Sequence, residues 1–408
     1  MTSTLRSIPS FARNRGPAGF LLAFALLLFA LPAAAQTEDP ALDAPARFLI
    51  ESISVQGVER LATREIVAKE SRVEPGTEVD EDQLRQAIYR VRRLPFVIDA
   101  DFSLQKGTER GRYVLVIRIE MASAVFADLS VGAGWERGEP GGGQVDWYGA
   151  VGARQFIGSR GYAFAGIDRF QNLQLGYTQF HLFGPGSYLS ISASTSLKVD
   201  EDNHSLSLVA GKPLSATKAL RISLGESKFS ISTNRYVGLE WLLDTTDDPL
   251  LPTRGTTASV GVDTFSQDSP FEFEGQDLGS TTKGNGLSVA ARRYRPLAPR
   301  HSVWGELGAS YAEVKDDFSV GGDFRYRNQN ASAGIGYSWD LLRSQVGEPR
   351  NDLRFTAVAN ARAGKTFFDP NFDVREISLS VGLVYRRPQG SISVGLSYLN
   401  PVNRRTFQ

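Results

Sequence analysis

Asp244-Thr245-Thr246-Asp247-Asp248-Pro249-Leu250-Leu251-Pro252-Thr253-Arg254-Gly255 sits between two segments that alternate apolar and small polar residues. Two prolines each fix φ and remove a donor, and Gly255 permits φ > 0. The carboxylates and Thr253 are placed to bond nearby backbone, so the chain reverses here between two strands.

The same alternation runs outward from this turn. From Ala124 onward helical periodicity is absent: Ile377, Leu379, Val381 and Leu383 alternate with Ser378, Ser380 and Gly382, and Ile392, Val394, Leu396 and Tyr398 repeat the pattern. Segments of about ten residues with one apolar and one small polar face are the pattern of membrane barrel strands, whereas β-sandwich strands are nearer 5–6 residues. About fifteen such segments are clear, from Phe126–Trp135 to Ser391–Leu399, with a doubtful last one, which predicts a mainly β, antiparallel transmembrane barrel of about 16 strands over residues 123–408. If the first strand leaves the periplasm, the turn follows the eighth strand and is periplasmic. Trp135, Trp147, Tyr148, Trp241, Trp304, Tyr337, Trp339 and Tyr385 fall mostly near segment ends, where an interfacial girdle would lie.

Composition agrees with strands in a membrane. Lys plus Arg number 45 against 45 Asp plus Glu, so no charge excess points to nucleic acid as a partner. Hydrophobic residues are only 41% with 40 glycines, which is low for a helical membrane protein. There is no cysteine, which excludes disulfides, thiolate metal sites, a thiol nucleophile and an amino-terminal lipid anchor on cysteine.

Arg6, Arg13 and Arg15 precede an apolar run from Ala18 to Leu31, then Pro32 and Ala33-Ala34-Ala35. The run is shorter than the ~20 residues of a spanning helix, so residues 1–35 read as a secretory signal peptide cleaved after Ala35. Residues 36–46 read as a linker. Residues 47–122 then give strand, helix, helix, strand, strand. Ile50, Ile53 and Val55 lead to Gly57, Thr63 is placed to cap a short helix, and Asp80 with Gln83 caps a second helix bearing Leu84, Ala87, Ile88 and Val91 on one face. Arg85, Arg92 and Arg93 on that helix read as a solvated face. A small α+β domain, a sheet covered on one face by two helices, follows.

The opening turn resembles the Asp-Thr-Arg-Asp-Asn-Pro-Leu-Phe-Pro-Thr-Arg-Gly turn of the POTRA-bearing outer-membrane barrels, the bacterial surface antigen family that includes barrel-assembly factors and two-partner secretion translocators. Asp244, Asp247, Pro249, Pro252, Thr253, Arg254 and Gly255 carry the match. Ser54-Val55-Gln56-Gly57 and Arg93-Leu94-Pro95-Phe96 resemble a POTRA domain. The resemblance implies a protein of the outer membrane with its small domain in the periplasm. Its partners would be the bilayer and lipopolysaccharide, unfolded or secreted polypeptides, and periplasmic accessory proteins, with no cofactor.

The resemblance also directs attention to Phe318–Arg327. In the family the sixth extracellular loop folds into the lumen and carries Gly-Gly, a spacer and an arginine-glycine-aromatic core whose arginine pairs with an acid on the thirteenth strand. Here Gly321-Gly322 match, Asp323 follows, and Phe324-Arg325-Tyr326 replaces the core, with Arg325 in the arginine's place. Arg362 stands where the acid would be, so a reversed pair of Arg362 with Asp323 is expected, because an unpaired buried charge is costly. After Pro401 only Val402 to Gln408 remain, too few for a full last strand of about nine residues, which puts closure of the barrel in question.

No catalytic or metal-binding constellation is visible. His181, His204 and His301 are scattered, and no Gly-x-Ser-x-Gly elbow or phosphate loop occurs. Two functions fit: insertion or export of polypeptides, or a passive pore or structural barrel derived from such a machine.

Overall fold

A four-stranded sheet and a closed barrel account for the described residues of a computed structural model. These are residues 46–136, 143–155, 160–198, 203–248, 251–270, 272–273, 276–277, 279–318, 322–344, 350–365 and 373–401. The expected leader and all but the last residue of the expected linker lie outside them.

The small domain runs β1 (Phe48–Gln56), α1 (Leu61–Ser71), β2 (Glu78–Val79), α2 (Glu81–Val91), β3 (Val97–Lys106) and β4 (Arg112–Met121). Its sheet has the order β2-β1-β4-β3, with β1 parallel to β4. Parallel neighbours need a crossover, which the helical segment supplies. Ile50, Leu115 and Ile117 from the sheet and Val67, Leu84 and Val91 from the helices are at most 1% exposed and form the core. Asp80 and Gln83 form a reciprocal capping box on α2. Thr63 does not cap α1. That helix starts one turn earlier, with Arg60 at the N-cap, and Thr63 is fully buried within it.

The barrel strands are β5 (Val125–Glu136), β6 (Gln144–Arg154), β7 (Gly161–Asp168), β8 (Asn172–Phe180), β9 (Tyr188–Ser196), β10 (His204–Pro213), β11 (Lys218–Phe229), β12 (Ser232–Asp244), β13 (Gly255–Ser269), β16 (Ser280–Ala298), β17 (His301–Phe318), β18 (Gly322–Leu342), β19 (Asp352–Lys365), β20 (Asp373–Arg387) and β21 (Gly390–Pro401). A two-residue pair, β14 (Glu272–Phe273) with β15 (Gln276–Asp277), lies between β13 and β16. Each barrel strand pairs antiparallel with the next in sequence. Directly opposed residues share a face, and faces alternate along each strand. Ile392, Val394 and Leu396 face outward with exposures of 50, 51 and 48%, forming part of a broad apolar belt. Ser393, Gly395 and Ser397 face the lumen, as do Ser192, Ser194, Ser205 and Ser207, whose hydroxyls pair at 2.7 Å.

Among the described residues the barrel closes with fifteen strands, where about sixteen are expected from the sequence. With an odd number of strands, each antiparallel to the next, the first and last must run the same way. The seam between β21 and β5 is accordingly parallel, in register from Gly390 opposite Ala127 to Leu399 opposite Glu136.

The expected infolded loop is instead the end of a long hairpin. β17 and β18 are 18 and 21 residues long and pair without interruption to Phe318 opposite Gly322. Alternating Asp323-Phe324-Arg325-Tyr326-Arg327 continues the strand pattern, and cross-strand contacts hold it. Phe318 and Phe324 meet edge-on at 5.7 Å, and Lys315 pairs with Asp323 at 2.9 Å.

Candidate functional site

The end of the barrel next to the small domain is termed proximal. The turn after β12 lies there and is built around Asp247, whose carboxylate accepts from the backbone N–H groups of Thr253 (2.9 Å) and Arg254 (3.1 Å) and from the Thr253 hydroxyl. Asp244 accepts from the N–H and hydroxyl of Thr246 at 2.9 and 2.7 Å. Thr245 N–H donates to the Thr256 carbonyl, closing the reversal at 2.8 Å. Gly255 has φ +106°, and a Cβ there would stand 2.3 Å from the Thr245 carbonyl oxygen. Gly255→Ala is therefore expected to destabilise the barrel by about 1–3 kcal/mol, seen as a lower urea midpoint for loss of the folded band. Pro249 lies outside the described residues. Pro252 is half-buried, and its carbonyl accepts from Arg354 at 3.1 Å.

This turn joins the two parts of the molecule. From α2, Tyr89 donates its hydroxyl to the Asp244 carbonyl at 2.8 Å, and just beyond the helix Arg93 pairs with the Asp244 carboxylate at 2.7 Å. Arg92 reaches the Asp247 carbonyl at 3.4 Å. Arg92 and Arg93 are thus interface residues rather than a solvated face, while Arg85 pairs with Glu81 within its helix. Burial pushes the Tyr89 phenol up to about 12, against the opposing pull of Arg93. The folded chain then keeps a proton that the unfolded chain loses near 10, so stability is complete below about 10 and falls as pH rises to about 12. A spectrophotometric titration is expected to lose one phenol ionising at about 12 in Tyr89→Phe relative to the parent.

A second group comes from the segment before β19. Arg350 is mostly buried and pairs with Asp248 at 2.6 Å and with Asp352, donates to the Ile98 carbonyl of the small domain at 2.9 Å, and gives its backbone N–H to Glu120 at 2.7 Å. Burial alone would lower the Arg350 pKa, but the Asp248 and Asp352 carboxylates outweigh it and raise it above the ordinary range. Burial pushes the Glu120 carboxyl up, partly offset by the Arg350 N–H. Beside it, Arg354 pairs with Asp340 and donates to the carbonyls of Leu251 and Pro252. Arg350 and Arg354 therefore clamp the turn, and Arg350 also holds the small domain.

Further round the rim, Glu70 of α1 faces His181 at 2.9 Å, with side chains only 6 and 5% exposed. Gln155 donates to Thr63 at 3.3 Å, and Arg72 donates to the Pro185 carbonyl at 3.4 Å. With contacts on the turns after β6, β8, β12 and β18, the small domain sits across the proximal mouth. Single charged residues with partners a hundred or more positions away carry this arrangement, and no local motif marks them. The histidine at 181 and the arginines of α2 were the available signals.

The family-like residues of β18 are elsewhere. Gly321 lies outside the described residues, and Gly322 begins β18 at φ +92°. Phe324 and Tyr326 share the lumen face with Ser332, whereas Asp323 and Arg325 take the outward face. Arg362 stands opposite Ser332 and Glu376 on the lumen side. Asp323 is nine residues from Ser332, about 30 Å along the strand, and on the opposite face. The expected Arg362–Asp323 pair is therefore not made: Asp323 pairs with Lys315, and the acid opposite Arg362 is Glu376.

The seam is the remaining distinctive joint. At its centre Gly132 faces Gly395, so no side chains pair there, and Gly134 opposes Ser397. Asp128 accepts from the Ser391 N–H and hydroxyl at 2.8 and 2.7 Å. At its foot Ser123 N–H donates to the Pro388 carbonyl, and Arg154 reaches both Ser123 and Pro388 carbonyls. Side-chain hydrogen bonds pin the seam at its proximal end, and above it the strands continue in unbroken register. Parallel pairing is also the less stable arrangement per residue, and glycine weakens strands further.

No family model matches the chain, and no curated protein matches it. Among solved structures, BamA from Haemophilus ducreyi lacking POTRA domains 1–3 aligns over 89% of this chain and 83% of that one, at 14% identity and a TM-score of 0.42. CdiB from Acinetobacter baumannii aligns over 86% of this chain and 73% of that one, at 11% identity and a TM-score of 0.35.

Proposed function

We propose that this chain is an outer-membrane barrel that inserts or exports polypeptides, with the small domain in the periplasm as a POTRA-like receiver and the barrel seam as the place where a client strand is accepted. The observation that carries this reading is the parallel pairing of β21 with β5 in an otherwise antiparallel barrel. One extended segment entering between them can run antiparallel to both, replacing one weak pairing with two stronger ones. The exposed apolar belt fits a bilayer, and the turn at Asp244–Gly255, with its resemblance to the outer-membrane family, supports the compartment. Residues 1–35 would direct export and be removed, and lipopolysaccharide would surround the distal rim. The chemistry is binding and templating, with no catalytic residue.

A deletion strain provides the test. Loss of one or more outer-membrane or secreted proteins from the deletion strain, restored by the intact gene, is the expected result, and unchanged levels of all of them would overturn the reading. A second reading, a passive pore, is favoured by the serine- and glycine-lined lumen and by the placement of Gly322–Tyr326 in a strand. A steady ohmic conductance in planar bilayers with no protein missing from the deletion strain would establish it instead.

A further inference from the structure

The outward face of β16 carries Lys283, Asn285, Leu287, Val289, Ala291, Arg293 and Arg295 in alternation. Leu287 and Val289 are each 44% exposed, as are belt neighbours Val260 and Val262 at 42 and 50%. From Lys283 to Arg293 is ten residues, about 33 Å along a strand and about 25 Å along the barrel axis at a tilt of ~40°, the height of a hydrocarbon band. Arg293 thus marks the proximal edge of the band, with Arg295 just beyond it.

Further cations gather at this edge. Exposed Arg254 adjoins Gly255, which is opposite Tyr294, between Arg293 and Arg295. Exposed Arg300 lies in the turn after β16. Arg293 is flanked in register by Thr256 and Gly305, so its guanidinium has no large neighbour on either side. Opposite Arg295 is Val303 and then Tyr337, and next to them His301 stacks on Trp339 at 5.5 Å and bonds the Tyr337 hydroxyl at 2.6 Å. Tryptophan and tyrosine of this kind sit at headgroup depth.

The neighbouring strand ends present no carboxylate on their outward face. The outward positions near the proximal ends of β12, β13, β17 and β18 hold Trp241, Leu243, Thr256, Ala258, His301, Val303, Tyr337 and Trp339. Among the described residues, Arg254, Arg293 and Arg300 make no ion pair with a carboxylate. The distal edge is different, since Lys315, Arg327 and Arg235 there pair with Asp317, Glu313 and Glu226.

We propose that Arg293 and Arg295, with Arg254 and Arg300 beside them, form a binding site for the headgroup phosphate of an anionic glycerophospholipid in the proximal leaflet. A guanidinium presents paired donors that match a phosphodiester, and the alkyl stems lie along the apolar belt while the charge reaches the headgroups. The glycine at 305 leaves room beside Arg293 for the headgroup, and the Tyr337–His301–Trp339 group flanks it. This proposal rests on the reading of the belt as bilayer-embedded.

The test uses the full chain reconstituted separately with phosphatidylglycerol and phosphatidylcholine, followed by native mass spectrometry of retained lipid. The parent is expected to retain phosphatidylglycerol about tenfold in preference, and R293Q/R295Q to lose that preference. R293K/R295K, which keeps charge and loses paired donation, is expected to fall between them. R325Q/R327Q at the distal edge is expected to match the parent. Equal retention of both lipids by the parent, or undiminished preference in R293Q/R295Q, would overturn the site. Failure of the underlying membrane reading has a separate sign: the parent would not incorporate into vesicles resistant to carbonate extraction.

Discussion

Arg350→Ala is expected to lower stability by about 3–5 kcal/mol and to loosen the small domain from the barrel mouth. Asp248 and Asp352 would be left buried without their cation, and the Ile98 carbonyl would lose its donor. Arg350→Lys should recover only part of this, because one ammonium cannot span two carboxylates and a carbonyl as a planar guanidinium does. Limited proteolysis reads the effect: cleavage between the small domain and the barrel should become fast in Arg350→Ala while the barrel fragment stays intact. Unchanged proteolysis would show that the remaining contacts, Tyr89 and Arg93 on Asp244 and Glu70 with His181, hold the domain by themselves.

The second large effect concerns the seam. The chain has no cysteine, so Ser130→Cys with Ser393→Cys, directly opposed across β5 and β21, gives an unambiguous lock. Oxidation is expected to reduce client insertion or export by at least about tenfold, with recovery on reduction, since a covalent link removes the opening that the weak parallel pairing permits. Ser223→Cys with Gly238→Cys, opposed across β11 and β12, is the control, and its oxidation should leave activity unchanged. Equal activity of the oxidised and reduced seam lock would place client passage elsewhere.

Much of this architecture is legible in the amino-acid order, for local reasons. Alternation at period two marks strands wherever one face is apolar, and the prolines, aspartates and Gly255 mark the turn after the eighth strand. The parity of the barrel is less legible, because alternation counts strands only to within one, and an odd count changes the direction of the closing strand. The β18 residues mislead for a related reason. Gly-Gly followed by an arginine and aromatics resembles a lumen loop, yet Asp323 to Arg327 alternates and its charges match Lys315 and Glu313 across the hairpin. Face assignment then separates Asp323 from Arg362, and only a register between three strands reveals it. The clamp of Arg350, Arg354, Asp248 and Asp340 was hidden because its members are isolated charges that meet only when the barrel closes. The turn at Asp244–Gly255 therefore has a larger structural part than reversal alone, since it is the surface on which the small domain rests.

Site-specific photocrosslinking in living cells tests the central proposal most directly. A photoreactive residue at Ser393, facing the lumen beside the seam, and another at Tyr89 of the small domain should each form adducts with the same polypeptide clients, and the Ser393 adducts should disappear when a seam lock made from Gly134→Cys and Ser397→Cys, opposed across β5 and β21, is engaged. Adducts at neither position, or Ser393 adducts that persist unchanged in the locked barrel, would contradict it.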